Sequence, residues 1–181
     1  YGSWATAIVK TLTVNHHHVD WLVLNDEIRE SLHSRSRNSK YLPWCYIDKE
    51  FITPSSDINA VVRDADIVIL AMPSAFMKKF MEPLTEDLSD KIVVSAVKGI
   101  IPGDYLTIVE HMHRYYNVPM QNLAVVTGPS HAEEVGQCQL SYLTVASEST
   151  TTAERVRDVM ANDFFRCSRH HPATARILLT R

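Results

Sequence analysis

The stretch Asp66-Ile67-Val68-Ile69-Leu70-Ala71-Met72, closed by Pro73, decides the fold. After its leading acid it is unbroken apolar sequence, rich in β-branched residues, with none of the alternation of a strand that has one wet face. Such a run suits a strand buried on both faces of a parallel sheet. Residues 92–97 (IVVSAV) and 123–127 (LAVVT) repeat the pattern. Helical stretches are predicted between and after these runs, over residues 75–84, 105–116, 131–137 and 152–160. Upstream, the pattern predicts a helix over 5–12, a strand over 19–24 and a second helix from Asp26. A short extended piece at 51–53 follows, then a helix to residue 65 with Ser55, Ser56 and Asp57 as candidate N-caps. Repeated strand-helix units of this spacing predict an α/β fold, a Rossmann-type doubly wound and mostly parallel sheet.

The N-terminal tetrapeptide Gly2-Ser3-Trp4-Ala5 runs straight into the helical pattern Ala7, Ile8, Val9, Leu12. It reads as the second half of a G-x-G-x-x-G/A loop, which sets a dinucleotide pyrophosphate on a helix N-terminus. There, Gly2 would let backbone approach a phosphate and Ala5 would let the helix pack close to the sheet. A glycine before a helix is more often an ordinary loop or cap, so the half-motif needs the rest of the chain. The strand expected before Gly2 would be the central one, and a sheet without it leaves two rows of backbone groups unpaired. The expected organisation is a dinucleotide-binding domain over residues 1–168, incomplete at its N-terminus, and an unassigned tail over 169–181. The chain is read as an excerpt of a longer polypeptide.

Composition narrows the function classes. The 181 residues are 45% hydrophobic and 22% charged, the balance of an ordinary globular domain. A net charge of -3 gives no electrostatic footprint for nucleic acid. No apolar run approaches ~20 residues, so membrane insertion is not expected. Cys45, Cys138 and Cys167 are scattered and odd in number, which fits a reducing cytoplasm better than a disulfide framework. His16-His17-His18 is placed in a loop and assigned no metal.

The candidate site residues sit where strands end. Asp26 lies about twenty residues beyond the glycine loop, where a carboxylate can accept hydrogen bonds from ribose hydroxyls and repel a 2′-phosphate. Its alternative role is to cap the following helix. No Lys or Arg occupies positions 22–26, which favours NAD over NADP. Pro73, Ser74 and Phe76 follow a buried strand at the edge where ligands gather in open α/β sheets. Lys98, at the end of the next strand and before Gly99, places a cation where a phosphate or a developing alkoxide would sit. Gly128-Pro129-Ser130-His131-Ala132-Glu133 opens another helix, with Ser130 as expected N-cap and Glu133 completing a capping box.

In order, GSWATA, NSKYLP (38–43), MPSAF (72–76), SAVKGI (95–100) and GPSHAEEV (128–135) resemble the N-terminal cofactor-binding domain of NAD(P)-dependent glycerol-3-phosphate dehydrogenase. The resemblance covers about residues 2–146 and implies hydride transfer between NAD(P)H and dihydroxyacetone phosphate, giving sn-glycerol 3-phosphate for glycerophospholipid synthesis. It implies that Ser3 and Trp4, between Gly2 and Ala5 of the loop, contact the pyrophosphate, and Asn25 stands beside Asp26 among the candidate cofactor-binding residues. Tyr41 and Phe76 would flank the nucleotide, with Pro73 and Ser74 beside it, and Ala132 would meet the nicotinamide end. Lys98 would touch cofactor and substrate, and Gly128 and Ser130 would hold the glycerol moiety. The family's general acid/base lysine belongs to an all-helical second domain, absent here. Leu24 and Asn25 stand where many members carry basic residues, and the segment from Arg169 departs from the family pattern.

Two other readings stay open: a different two-domain Rossmann reductase acting on a small keto substrate, and a non-catalytic NAD-binding fragment. A homodimer is compatible with the sequence, which does not decide it.

Overall fold

A computed structural model describes residues 1–169 of the chain. The tail read as beginning at Arg169 lies outside the described residues, except that Arg169 itself ends the last strand.

The elements in order are α1 (Ser3–Val14), β1 (Val19–Leu22), α2 (Asp26–Arg35), β2 (Ile52–Ser55), α3 (Ile58–Arg63), β3 (Ile67–Leu70), α4 (Met77–Met81), β4 (Ile92–Ser95), α5 (Ile108–Tyr116), β5 (Leu123–Thr127), α6 (Ala132–Gly136), β6 (Ser141–Ser147), α7 (Thr150–Met160) and β7 (Phe165–Arg169). Strands β3, β4 and β5 are parallel neighbours. β6 joins β5 antiparallel, and β7 runs parallel to β6. β1 and β2 form a separate parallel pair. The α/β, mostly parallel arrangement is the one the apolar runs predict.

The sheet is divided. No ladder links β1 to β3 among the described residues. Between them runs an apolar groove of about 480 Å³, lined by both strands and by Ile8, Val9 and Leu12 of α1. This explains a departure from expectation in the run that decides the fold. Ile67, Val68 and Ile69 are only half-buried, because β3 ends a sheet and borders the groove. The interior position belongs to β4, whose four residues are all buried.

Helix α1 bridges the two sheets. Its apolar side chains enter one core cluster with Trp21 and Val23 from the first sheet's side and Val94 and Ala124 from the other. It also buries three threonines. The Thr6 hydroxyl donates to the Gly2 carbonyl at 2.9 Å and that of Thr11 to the Ala7 carbonyl at 3.1 Å, so these polar groups enter the core satisfied.

Several boundaries differ from the predicted ones. The helix expected over 75–84 is a 3-10 turn (Ser74–Phe76) followed by the short α4, and Pro83 offers no N–H with which to extend it. The helix expected from residue 105 starts at Ile108, because Thr107 caps it in a reciprocal box with Glu110. Asp57, alone of its three candidates, caps α3, accepting from the Asn59 amide at 2.9 Å. β6 and β7 were not predicted, although Leu143 and Val145 are buried while Tyr142 is exposed, a period of two.

Candidate functional site

A cavity of about 800 Å³ opens where α1 begins and where β3, β4 and β5 end. It lies at the carboxyl edge of the parallel strands, where ligands settle in open α/β folds. Its size falls within the range of small-molecule and cofactor pockets.

The floor is the start of α1. The first intrahelical hydrogen bond runs from the Thr6 amide to the Gly2 carbonyl, which leaves the amides of Gly2 through Ala5 without helical acceptors. The positive end of the helix dipole adds to their pull on an anion. Gly2 has ordinary extended backbone (φ -79°, ψ -173°), so its conformation does not require glycine. What it provides is space, since a Cβ there would meet nothing within 4 Å.

Lys98 stands on the adjoining wall, exposed and without an ion-pair partner among the described residues. Gly99 follows it with φ +92° and passes close to Ser74, whose Oγ lies 3.4 Å from where a Cβ would stand. No Asp or Glu among the described residues lines the cavity. An unpaired ammonium beside free helix amides, with no carboxylate in the lining, makes an anion-accepting surface.

Two contacts set these walls relative to one another. The Trp4 indole N–H donates to the Ala96 carbonyl at 3.1 Å, pinning the start of α1 to the chain two residues before Lys98. Asn38, fully buried, holds the other side. Its Nδ2 donates to the Tyr1 carbonyl and the Thr6 hydroxyl, and its Oδ1 accepts from the amides of Lys40 and Tyr41. Tyr41 is thereby carried to the cavity rim, edge-on to Tyr1. Across the opening, half-exposed Phe76 packs edge-to-face with Phe80 and gives the wall an apolar surface.

The far end is the turn after β5. Gly128 has φ +154°, and a Cβ on it would meet the Tyr142 carbonyl oxygen at 2.8 Å. The Ser130 amide donates to the Gly128 carbonyl at 3.1 Å. Ser130 does not cap the following helix, contrary to expectation. His131 holds the N-cap position, with no side-chain bond, because α6 begins one residue later than the capping-box spacing requires.

Behind the cavity, α5 buries His111 between Tyr115 and Tyr116. Its Nδ1 lies 3.3 Å from Asp104 Oδ2 without forming an aligned hydrogen bond. Lys78 Nζ takes the other carboxylate oxygen at 2.7 Å. Burial lowers the His111 pKa more than Asp104 raises it, with Lys78 also lowering it. The unfolded chain therefore protonates this imidazole first, so the stability its neutral form carries is full above pH ~6.5 and is lost as pH falls from there through the lower folded value. The Lys78 hydrogen bond lowers the Asp104 pKa, and that contribution fades only in the more acid range below ~4. Replacing His111 with Gln is expected to flatten the fall of Tm between pH 7 and pH 5, as read by circular dichroism melts. An unchanged slope would assign the fall to other groups.

The family whose model matches residues 1–153 is described as NAD-dependent glycerol-3-phosphate dehydrogenase N-terminus. The chain belongs to this family. The glycerol-3-phosphate dehydrogenase [NAD(P)+] of Halalkalibacterium halodurans is 32% identical over 167 residues, covering 91% of this chain and 48% of that protein. The enzyme of the same name from Halothermothrix orenii is 35% identical over 169 residues, with 91% and 48% covered. The chain thus spans about half the length of the curated relatives it matches. Solved glycerol-3-phosphate dehydrogenase structures share the fold. That from Coxiella burnetii superposes with a TM-score of 0.82 at 22% identity, covering 94% of this chain and 51% of that one. That from Plasmodium falciparum gives 0.85 at 20%, with 94% and 50% covered.

In this member of the family the cavity gathers most of the residues singled out in the sequence. Gly2, Ser3 and Trp4 line it from α1, and Tyr41, Pro73 and Phe76 from the side walls. Lys98, Gly128, Ser130 and Ala132 line it from the ends of β4 and β5. Four candidates are not in the lining. Ala5 is buried in the core, Ser74 backs onto Gly99, and Asn25 is spent as the N-cap of α2, accepting from the Ile28 amide at 3.0 Å. Asp26 is exposed and pairs with Arg29, which also reaches the Val23 carbonyl. The sequence reading overlooked Arg29 because it lies outside positions 22–26. Asn38 heads the NSKYLP motif but was given no role there, although an Asn heading a turn such as Asn38-Ser39-Lys40 is the pattern of an Asx turn.

Proposed function

We propose that the cavity binds NAD or NADP and that the complete protein transfers a hydride between NAD(P)H and dihydroxyacetone phosphate, giving sn-glycerol 3-phosphate for glycerophospholipid synthesis in the cytoplasm. The observation that carries this reading is the unpaired Lys98 beside the free amides of α1, in a carboxylate-free cavity at the carboxyl ends of β3, β4 and β5.

The nicotinamide ring, when bound, supplies or accepts the hydride. The chain's own residues do the placing. The amides of Ser3 and Trp4 hold the pyrophosphate, and Tyr41 and Phe76 close on the nucleotide from either side. Ala132 borders the nicotinamide end, and its small side chain leaves room for the ring. Lys98 steadies the substrate's anionic oxygens and the charge that grows on the carbonyl oxygen as the central carbon takes hydride. Gly128 and Ser130 hold the glycerol moiety at the far end. The proton for that oxygen comes from the acid/base lysine of the helical domain that the family carries. NAD would be favoured over NADP by Asp26, the first residue of α2, once its carboxylate leaves Arg29 for the ribose hydroxyls.

The reading is tested by titrating the chain with NADH and NADPH and assaying the complete protein with dihydroxyacetone phosphate and a panel of keto acids. NADH binding together with turnover of dihydroxyacetone phosphate is the expected result. Turnover of a different keto substrate would point to another reductase, and binding without any turnover to a non-catalytic module. In the same assay Asp26→Ala is expected to lower the preference for NADH over NADPH by roughly tenfold, the scale of one charge-assisted hydrogen bond. An unchanged ratio would remove the ribose contact.

A further inference from the structure

Asp104 lines no part of the cavity, yet three of the cavity's supports meet on its carboxylate. It sits in the segment 98–107 that joins β4 to α5 and begins with Lys98. One carboxylate oxygen takes Lys78 of α4 at 2.7 Å, and the other faces His111 of α5 at 3.3 Å. α4 continues from the turn that carries Phe76, and Ile108 and Val109 at the start of α5 border the cavity.

The segment needs such a tie. Both neighbours of Asp104 have left-handed backbone, Gly103 at φ +87° and Tyr105 at φ +55°. For a tyrosine that conformation is disfavoured and persists only when the surroundings hold it. The segment's own bonds are few. The Ile101 amide donates to the Leu106 carbonyl at 2.8 Å and the Tyr105 amide to the Ile101 carbonyl at 3.0 Å. Ile100 and Thr107 form a single bridge, and Ile101 is the buried apolar anchor. The Tyr105 ring, 78% exposed, contributes little packing.

We infer that Asp104 is a positioning residue: tied to Lys78, with His111 facing its other oxygen, it fixes the 98–107 segment so that Lys98 is presented to the cavity. The inference rests on the reading that the cavity takes a nucleotide anion. Without the carboxylate the turn relaxes, Lys98 loses its fixed place, and ligand affinity falls through Lys98 alone.

The test is a double-mutant cycle in the full chain, with NADH binding read by fluorescence titration and amide hydrogen exchange read by mass spectrometry. Asp104→Asn keeps the shape and removes the charge. It is expected to weaken NADH binding about tenfold with Lys98 present and less than about twofold in a Lys98→Ala background, the non-additivity of two coupled residues. Equal weakening in both backgrounds would mean a general loosening of the cavity and would overturn the inference. In the same variant the amides of Ile101 and Tyr105 are expected to exchange at least about tenfold faster while those of β4 and β5 keep their protection. Unchanged exchange at Ile101 and Tyr105 would also overturn it. Lys78→Met, which removes the stronger tie from the other side, is expected to reproduce the acceleration, and its failure to do so counts against the tie. If the unsubstituted chain does not bind NADH, the proposed function fails, and the exchange measurement alone decides whether Asp104 holds the segment.

Discussion

In the complete protein, Lys98→Ala is expected to lower kcat/KM for dihydroxyacetone phosphate by roughly 10²-fold or more, the scale of removing one preorganised charge contact. The size of the effect follows from the residue's surroundings. Among the described residues Lys98 has no counter-ion, and none of their carboxylates lines the cavity to compete with a ligand. The backbone just before it is held by the bond from Trp4 to the Ala96 carbonyl, so the charge is placed before the substrate arrives. Because the side chain is exposed, its loss should leave Tm nearly unchanged. Steady-state kinetics beside a thermal melt separates the two effects. A loss under about threefold, against the hundredfold scale set above, would take Lys98 out of the substrate site.

Gly128→Ala is expected to act on stability, costing about 2–4 kcal/mol. A Cβ at this position would stand 2.8 Å from the Tyr142 carbonyl oxygen and 3.1 Å from Leu143 Cα. Both are backbone atoms of β6, which pairs with β5 on one side and β7 on the other. Neither can retreat without stretching a ladder, and the φ of +154° is itself strained for alanine. Urea denaturation should show a lower midpoint with little change in slope. A cost under about 0.5 kcal/mol, the ordinary range for surface changes, would mean that β6 yields and that the turn is softer than its pairing implies.

How much of this could be read beforehand depends on the range of the interactions involved. β4 and β5 were legible because burial on both faces leaves a continuous apolar run, a signal carried by each residue alone. β6 and β7 were not, since a strand with one wet face and polar ends such as Ser141–Ser147 looks like loop until its partner is known. The capping of α5 by Thr107 was available in the sequence as Thr-x-x-Glu. The lone glycine loop promised little, yet its helix became one floor of the cavity once Lys98 was placed next to it. Asn25 and Asp26 show the limit of motif spacing. Their side chains are taken by local partners, an amide three residues on and Arg29, and such short-range competition is invisible to a pattern counted from the glycine. The Asp104 tie joins residues from three elements and has no sequence signature at all.

The divided sheet has a consequence for how the molecule comes apart. Two sheets have four edges where one continuous sheet has two, and β1 and β3 meet the groove with backbone groups that no ladder closes. What couples the β1–β2 pair to the other described strands is side-chain packing on α1 and α3, a contact without the direction or register of a hydrogen-bonded ladder. Among the described residues the β1–β2 pair is held to the rest by packing on α1 and α3, whereas opening β4 means breaking ladders on both sides. The helix that floors the anion site is thus also one latch between these strand groups. A ligand held at its N-terminus would therefore stabilise the packing between the two strand groups along with the site.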